Sequence, residues 1–281
     1  MAYVAATRPE STFKLLDRSL HLYKTAFHKI VLIALVMAIV AFTPRLIALA
    51  FGPQFAHSNF VYQQLFQFLV DVLSAIFFTA ILWDMRCVMT NDAESLFKDF
   101  KKSLQKIPLI VGASLIETLI LLVSTLAVIS LYLVWIRSSH HYHIQENQVK
   151  VFLLSLPLML QAAFNCLIFV LLVFYLPIIV TENTGIFAAL LRSAKLVWNN
   201  VWRVLKLQLT PWFIYSLWLI FFKNVFGFKI HIYFFPINNL SWSATIVHIL
   251  VFAFFAPWSA ATLLVQLHDL ELRKKLLPNV N

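Results

Sequence analysis

The chain has 281 residues, of which 61% are hydrophobic and only 12% charged, and its mean hydropathy is +0.83. Too few polar side chains are present to clothe a water-facing globule, so a soluble domain is excluded. The net charge of +10 resides in clusters interleaved with apolar positions, which points to anionic lipid headgroups as the partner and away from nucleic acid.

The first 29 residues are basic and amphipathic. No small-residue cleavage site follows the first apolar run, so this segment is expected to stay on the mature chain. Phe13, Leu16, Leu20, Tyr23 and Phe27 step by three and four, with Lys14, Arg18, His21 and Lys24 elsewhere on the wheel. That pattern predicts a helix lying on a membrane surface, with Ser11 as its N-cap. The first span follows from Ile30 to Phe51 and carries Arg45 near its far end.

A second span, Tyr62 to Trp83, carries Asp71 on a polar stripe with Gln64, Gln67 and Ser74, which is expected to face the bundle interior or water. An unpaired charge at that depth costs about 2.5 to 3.5 kcal/mol. The matching depth of Arg45 predicts that the two residues pair. The third span, Ile107 to Ile136, carries Glu117 beside Ser114 and Thr118. The fourth, Val151 to Val180, offers Gln161 and Asn165 as its nearest hydrogen-bonding company. Leu205 to Phe222 and Thr245 to His268 are the fifth and sixth spans. Alternation suited to a barrel is absent, so the spans are helices.

Between spans three and four, His140, His141 and His143 form the strongest candidate for metal ligation. Adjacent loop histidines rarely converge on one ion, so no metal or cofactor is expected. Cys87 and Cys166 lie at different depths and show neither disulfide nor metal-ligand spacing. The Asn239 triplet is a glycosylation sequon that matters only in a secretory-pathway host. Only four glycines occur, which disfavours close GxxxG crossings and glycine hinges.

Lysines and arginines divide 17 to 5 between the two sides of these spans, which predicts that both termini are cytoplasmic. Three ten-residue stretches align without gaps: ESTFKLLDRS (Glu10 to Ser19), ESLFKDFKKS (Glu94 to Ser103) and TGIFAALLRS (Thr184 to Ser193). Each precedes an odd-numbered span. The expected architecture is therefore one all-α, six-span integral membrane domain over residues 1–281, built of three repeated hairpins at about 10–93, 94–183 and 184–281, each led by a cytoplasmic interfacial helix.

The repeat ends on a base followed by a hydroxyl: Arg18 and Ser19, Lys102 and Ser103, Arg192 and Ser193, with Lys195 one turn beyond the first residue of the third pair. One reading makes these topological anchors. The sharper reading makes them a belt for anionic headgroups, in which Arg takes a phosphate bidentately and Ser adds a hydrogen bond.

The stretch YLPIIVTENTGIFAALLRSAKLVWNNVWRVLKL, Tyr175 to Leu207, combines a span, a proline, an acid, a small linker and Ala-Leu-x-x-Ser. It resembles the membrane domains found with glycerophosphodiester phosphodiesterases and the YciC-like bacterial inner-membrane proteins. LLVQLHDLELRKK, Leu263 to Lys275, is similar to the short polar helix that ends such domains. The resemblance rests on Pro177, Glu182, Leu190, Arg192 and Ser193 and implies a six-span bacterial inner-membrane protein without catalytic residues.

No phosphate loop, nucleophile elbow or paired-Cys zinc signature occurs in the sequence. His21, His28, His268, Asp84, Asp269 and Glu182 share the cytoplasmic face without a spacing that brings acid, base and nucleophile together. The expected function is non-catalytic, in lipid or envelope homeostasis, with anionic lipid as partner. A small-solute or proton-coupled transporter using Glu117 is the alternative, and a lipid-modifying enzyme comes third.

Overall fold

The computed structural model describes residues 3, 6–52, 60–90, 101, 104–139, 147–182, 184–227 and 241–276. Among these residues the fold is all helical, and six helices are long and apolar enough to cross a membrane. In chain order the helices are α1 (Thr12–Ala41), α2 (Thr43–Phe51), α3 (Phe60–Thr90), α4 (Ile107–Ser139), α5 (Asn147–Leu172), α6 (Tyr175–Glu182), α7 (Ile186–Val197), α8 (Val201–Phe226) and α9 (Trp242–Leu276). A 3-10 turn, Trp198–Asn200, joins α7 to α8.

The first surface helix and the first span are one rod. Nothing between Thr12 and Ala41 interrupts the helical ladder, and its 30 residues extend about 45 Å. The break expected near Ile30 falls instead after Ala41. Pro44 has no N–H for the carbonyl of Val40 and its ring crowds that carbonyl, so the chain turns at Phe42 and restarts as α2. The inward face of α1 also differs from the sequence reading. Leu15, Ser19, Leu22, Ala26, Ile30, Ala34 and Met37 are buried, whereas Phe13 is 84% exposed. Small side chains on this face admit a close neighbour, and α9 takes the place.

The centre of the bundle is α9. Two-thirds of its apolar window is buried, against 17% in α4. It packs on α1, α3 and α8, and its Ala256, Ala260 and Ala261 share one core with Ala26, Ile30 and Ala34 of α1. Alanines thus give the close approach that the scarcity of glycine seemed to deny. Helices α4 and α5 pack on each other and on α7 at the periphery.

The fourth span is broken. Helix α5 stops at Leu172 and α6 starts at Tyr175, although the sequence reads as one apolar run from Val151 to Val180. The cause is Pro177, which leaves the carbonyl of Val173 without its helical donor. Pro211 and Pro257, by contrast, lie inside α8 and α9, which continue past them.

Candidate functional site

Breaking a span frees backbone groups where water is scarce, so they must find partners within the protein. Here Ser193 of α7 supplies both. Its hydroxyl accepts from the N–H of Phe174 at 3.1 Å and donates to the carbonyl of Leu171 at 2.7 Å, and the residue is fully buried. The neighbouring Arg192 secures the other end of the short helix. Its Nη1 binds Glu182, the last residue of α6, and its Nη2 donates to Glu271 of α9 at 2.7 Å. Pro177, Glu182, Arg192 and Ser193, with buried Leu190 in the same apolar core as Ile178 and Ile179, act as one staple across the break.

The first copy of the motif repeats this chemistry. Arg18 binds Glu10 through Nε at 2.5 Å and Nη2 at 2.8 Å. Ser19 is fully buried; its hydroxyl donates to the carbonyl of Leu16 and accepts the indole N–H of Trp258 at 3.1 Å. Glu10 is itself pinned. Its N–H donates to Asp269 at 2.8 Å, and its carbonyl accepts from Arg203 and Arg273. Both arginines also bind Asp269 Oδ2, at 3.1 and 2.8 Å, and Asp269 is wholly enclosed. His268 faces the carbonyl of Ala6, and the N-terminal segment is thereby laid across the ends of α8 and α9. Tyr3 is buried beside Arg18; burial raises its phenol above the ordinary range, and the Arg18 charge lowers it in part.

This end of the bundle corrects the headgroup belt as the sequence suggested it. Ser19 and Ser193 have their hydroxyls committed inside the protein, out of reach of any lipid, and the forks of Arg18 and Arg192 are occupied by carboxylates. Lys102 and Ser103 lie outside the described residues. The bases that remain open around Arg192 include Lys195, Lys274 and Lys275, each exposed and without a carboxylate within 4 Å among the described residues. Lys274 and Lys275 join Arg192, Leu196 and Glu271 around a groove of about 330 Å³. Helix α7 and the start of α8 present Phe187, Leu191, Trp198 and Trp202 outward, at 57 to 75% exposure. The aligned residues Phe13 and Phe187 are thus both exposed, and Ser19 and Ser193 both buried.

Away from this end, the expected pair does not form. Asp71 lies on an exposed face of α3 and accepts from Gln67, one turn earlier, at 2.9 Å. Arg45 has no carboxylate within 4 Å among the described residues, and its electrostatic neighbours are Tyr215 and His248. Equal depth did not mean equal direction around the bundle. Glu117 finds its company in Tyr175, whose hydroxyl is also met by Ser114; Asn165 accepts from Ser124 at 2.8 Å, so the expected Gln161 and Asn165 contact to Glu117 is replaced. Tyr175, the first residue after the break, carries no signal in the sequence because nothing there marks the break as a place where a side chain turns inward.

His140, His141 and His143 lie outside the described residues, and among the described residues no three His, Cys, Asp or Glu side chains converge as a metal site would require. Cys87 and Cys166 form no disulfide with each other. The six apolar helices fit an integral, multi-pass membrane protein. No family model, no curated protein and no solved structure matches the chain.

Proposed function

We propose that this is a non-catalytic protein of the bacterial inner membrane that holds anionic phospholipid at its basic, cytoplasmic end and acts in lipid or envelope homeostasis. The observation that carries the reading is the set of open bases, Lys195, Lys274 and Lys275, grouped with the groove and the outward aromatic face of α7. Aromatic rings at the headgroup level and lysines above them are the means by which a helix rests at an anionic interface. The resemblance through Pro177, Glu182, Leu190, Arg192 and Ser193 fits this reading, with those residues shaping the surface and the lysines meeting the lipid.

The test is native mass spectrometry of the full chain with phosphatidylglycerol and phosphatidylethanolamine in competition. The wild-type protein is expected to retain the anionic lipid preferentially. Replacing Lys195, Lys274 and Lys275 by Gln is expected to weaken that retention by about 1 kcal/mol per lysine and flatten its salt dependence. Equal retention of the two lipids by the wild type refutes the proposal.

A proton-coupled transporter is the second reading, and the Glu117, Tyr175 and Ser114 contact beside a broken span favours it. Broken spans are where transporters place substrate and ion sites. Glu117→Gln is then expected to abolish proton-driven uptake in vesicles while leaving the fold intact; unchanged uptake removes this reading.

A further inference from the structure

The groove at the basic end is built on one bond between two helices. Arg192 of α7 donates to Glu271 of α9 at 2.7 Å, and one turn beyond these residues Leu196 on α7 and Lys274 and Lys275 on α9 continue the two walls. Lys195, next to Leu196, stands on the α7 side. The walls enclose about 330 Å³, within the range of small-ligand sites, so a headgroup has room there without rearrangement of the helices.

Formal charge narrows what fits. Arg192 lies between Glu182 and Glu271, and the three side chains together carry one negative charge. Lys195, Lys274 and Lys275 meet no carboxylate within 4 Å among the described residues, so their three positive charges exceed it by two. A single phosphodiester brings one negative charge and leaves half of that excess unmatched. The bases are also divided, one on α7 and two on α9, while Glu271 shares the groove with them and repels a phosphate set against it. A carboxylate offers about four lone-pair sites, and Arg192 Nη2 takes one of them here. The side chain of Glu271 is 27% exposed and keeps acceptor capacity for a hydroxyl.

We propose that this groove holds a phospholipid whose headgroup joins two phosphodiesters through one glycerol. One phosphate meets Lys195, the other meets Lys274 and Lys275, and the hydroxyl of the linking glycerol donates to Glu271. The inference rests on the reading of this end as an anionic-lipid site and names the lipid class. Joining the two charges in one molecule makes the second contact intramolecular, an advantage that two separate monoanionic lipids lack. The outward Phe187, Leu191, Trp198 and Trp202 give acyl chains an apolar face beside the groove, which favours a lipid over a soluble phosphate.

The experiment is native mass spectrometry of the full chain in neutral detergent, with cardiolipin as the two-phosphate probe against phosphatidylglycerol at equal phosphate. The wild type is expected to retain one cardiolipin in preference to phosphatidylglycerol by about tenfold or more. Lys195→Gln alone, and Lys274→Gln with Lys275→Gln, are each expected to abolish that preference, while retention of phosphatidylglycerol falls only about fivefold for each lysine replaced. Equal retention per phosphate of the two lipids by the wild type overturns the two-phosphate assignment and leaves the anionic-lipid reading standing. So does a preference for phosphatidic acid, a compact single phosphate, over cardiolipin. A cardiolipin preference that survives replacement of all three lysines belongs to its acyl chains and overturns the site as well. Displacement of cardiolipin by its deacylated headgroup at equal concentration overturns the lipid source in favour of a soluble one. Retention of phosphatidylethanolamine equal to that of both anionic lipids refutes the underlying reading together with this one.

Discussion

At one end of this bundle Arg18, Arg192, Arg203 and Arg273 each bind a carboxylate, whereas Arg45 in α2 has none within 4 Å among the described residues. The contrast separates two uses of the same side chain. Where a guanidinium meets a carboxylate and a backbone carbonyl together, as at Asp269 and Glu10, its charge is matched and it works as a crosslink between distant parts of the chain, although Nε of Arg203 has no partner among the described residues. Where no carboxylate meets it among the described residues, as at Arg45, its charge stays unmatched. A basic residue beside a membrane span is therefore not one kind of signal, and the division of 17 against 5 that sets orientation says nothing about which bases remain open.

The largest effect is expected at the most enclosed crosslink. Asp269 has no solvent exposure and receives Arg203, Arg273 and the N–H of Glu10. Asp269→Ala leaves two arginines facing each other without a counter-charge and releases the N-terminal segment. A loss of about 3 to 5 kcal/mol is expected on reversible unfolding in mixed micelles. A loss below about 1 kcal/mol would show that water already screens this network and that the two ends do not differ in kind.

A smaller effect is expected at the break in the fourth span. Ser193→Ala strands the Phe174 N–H and the Leu171 carbonyl, two backbone groups in an apolar setting, whereas Ser19→Ala strands only the Trp258 indole N–H. Unsatisfied buried groups cost about 1 to 3 kcal/mol each before local relaxation. The expected ranking places Ser193→Ala as the more damaging by about 1 kcal/mol, as measured by denaturation of the two variants side by side. The reverse order would mean that the break is held by Arg192 and its glutamates, with the hydroxyl contributing little.

The six spans were legible because a run of about twenty apolar residues is long enough to cross a bilayer and too apolar to face water. Their interruptions were less so. Pro177 and Pro211 look alike in the sequence, yet the first ends a helix and the second sits inside one, because Ser193 is available to receive the groups freed near the first. The alignment of the Arg-Ser copies pairs Ser19 with Ser193, and both are buried, but an alignment carries no direction. Whether the hydroxyl turned toward lipid or toward the bundle depended on α9 and on the break, which lie far away in the chain. The same limit undid the expected Arg45 and Asp71 pair, since residue counting gives depth and leaves the angle around the bundle undetermined. Gln67 and Asp71, one helical turn apart, needed no such angle and their contact was readable locally.

The smallest effect is expected at Arg45, and it is the one that most directly examines the contrast between the two ends. Replacing a crosslinked arginine by Met removes two or more bonds and leaves a buried acid; Arg203→Met, which abandons Asp269 Oδ2 and the Glu10 carbonyl, belongs with Asp269→Ala in magnitude. Arg45→Met removes a cation that no carboxylate neutralises and abandons no hydrogen bond within the protein. A methionine of similar length fills much of the space that the arginine stem occupied. Desolvation relief and lost packing then oppose each other, so stability is expected to stay within about 1 kcal/mol of wild type. A loss of about 3 kcal/mol would place Arg45 with the crosslinked arginines, and the two ends of the bundle would then use this side chain in the same way.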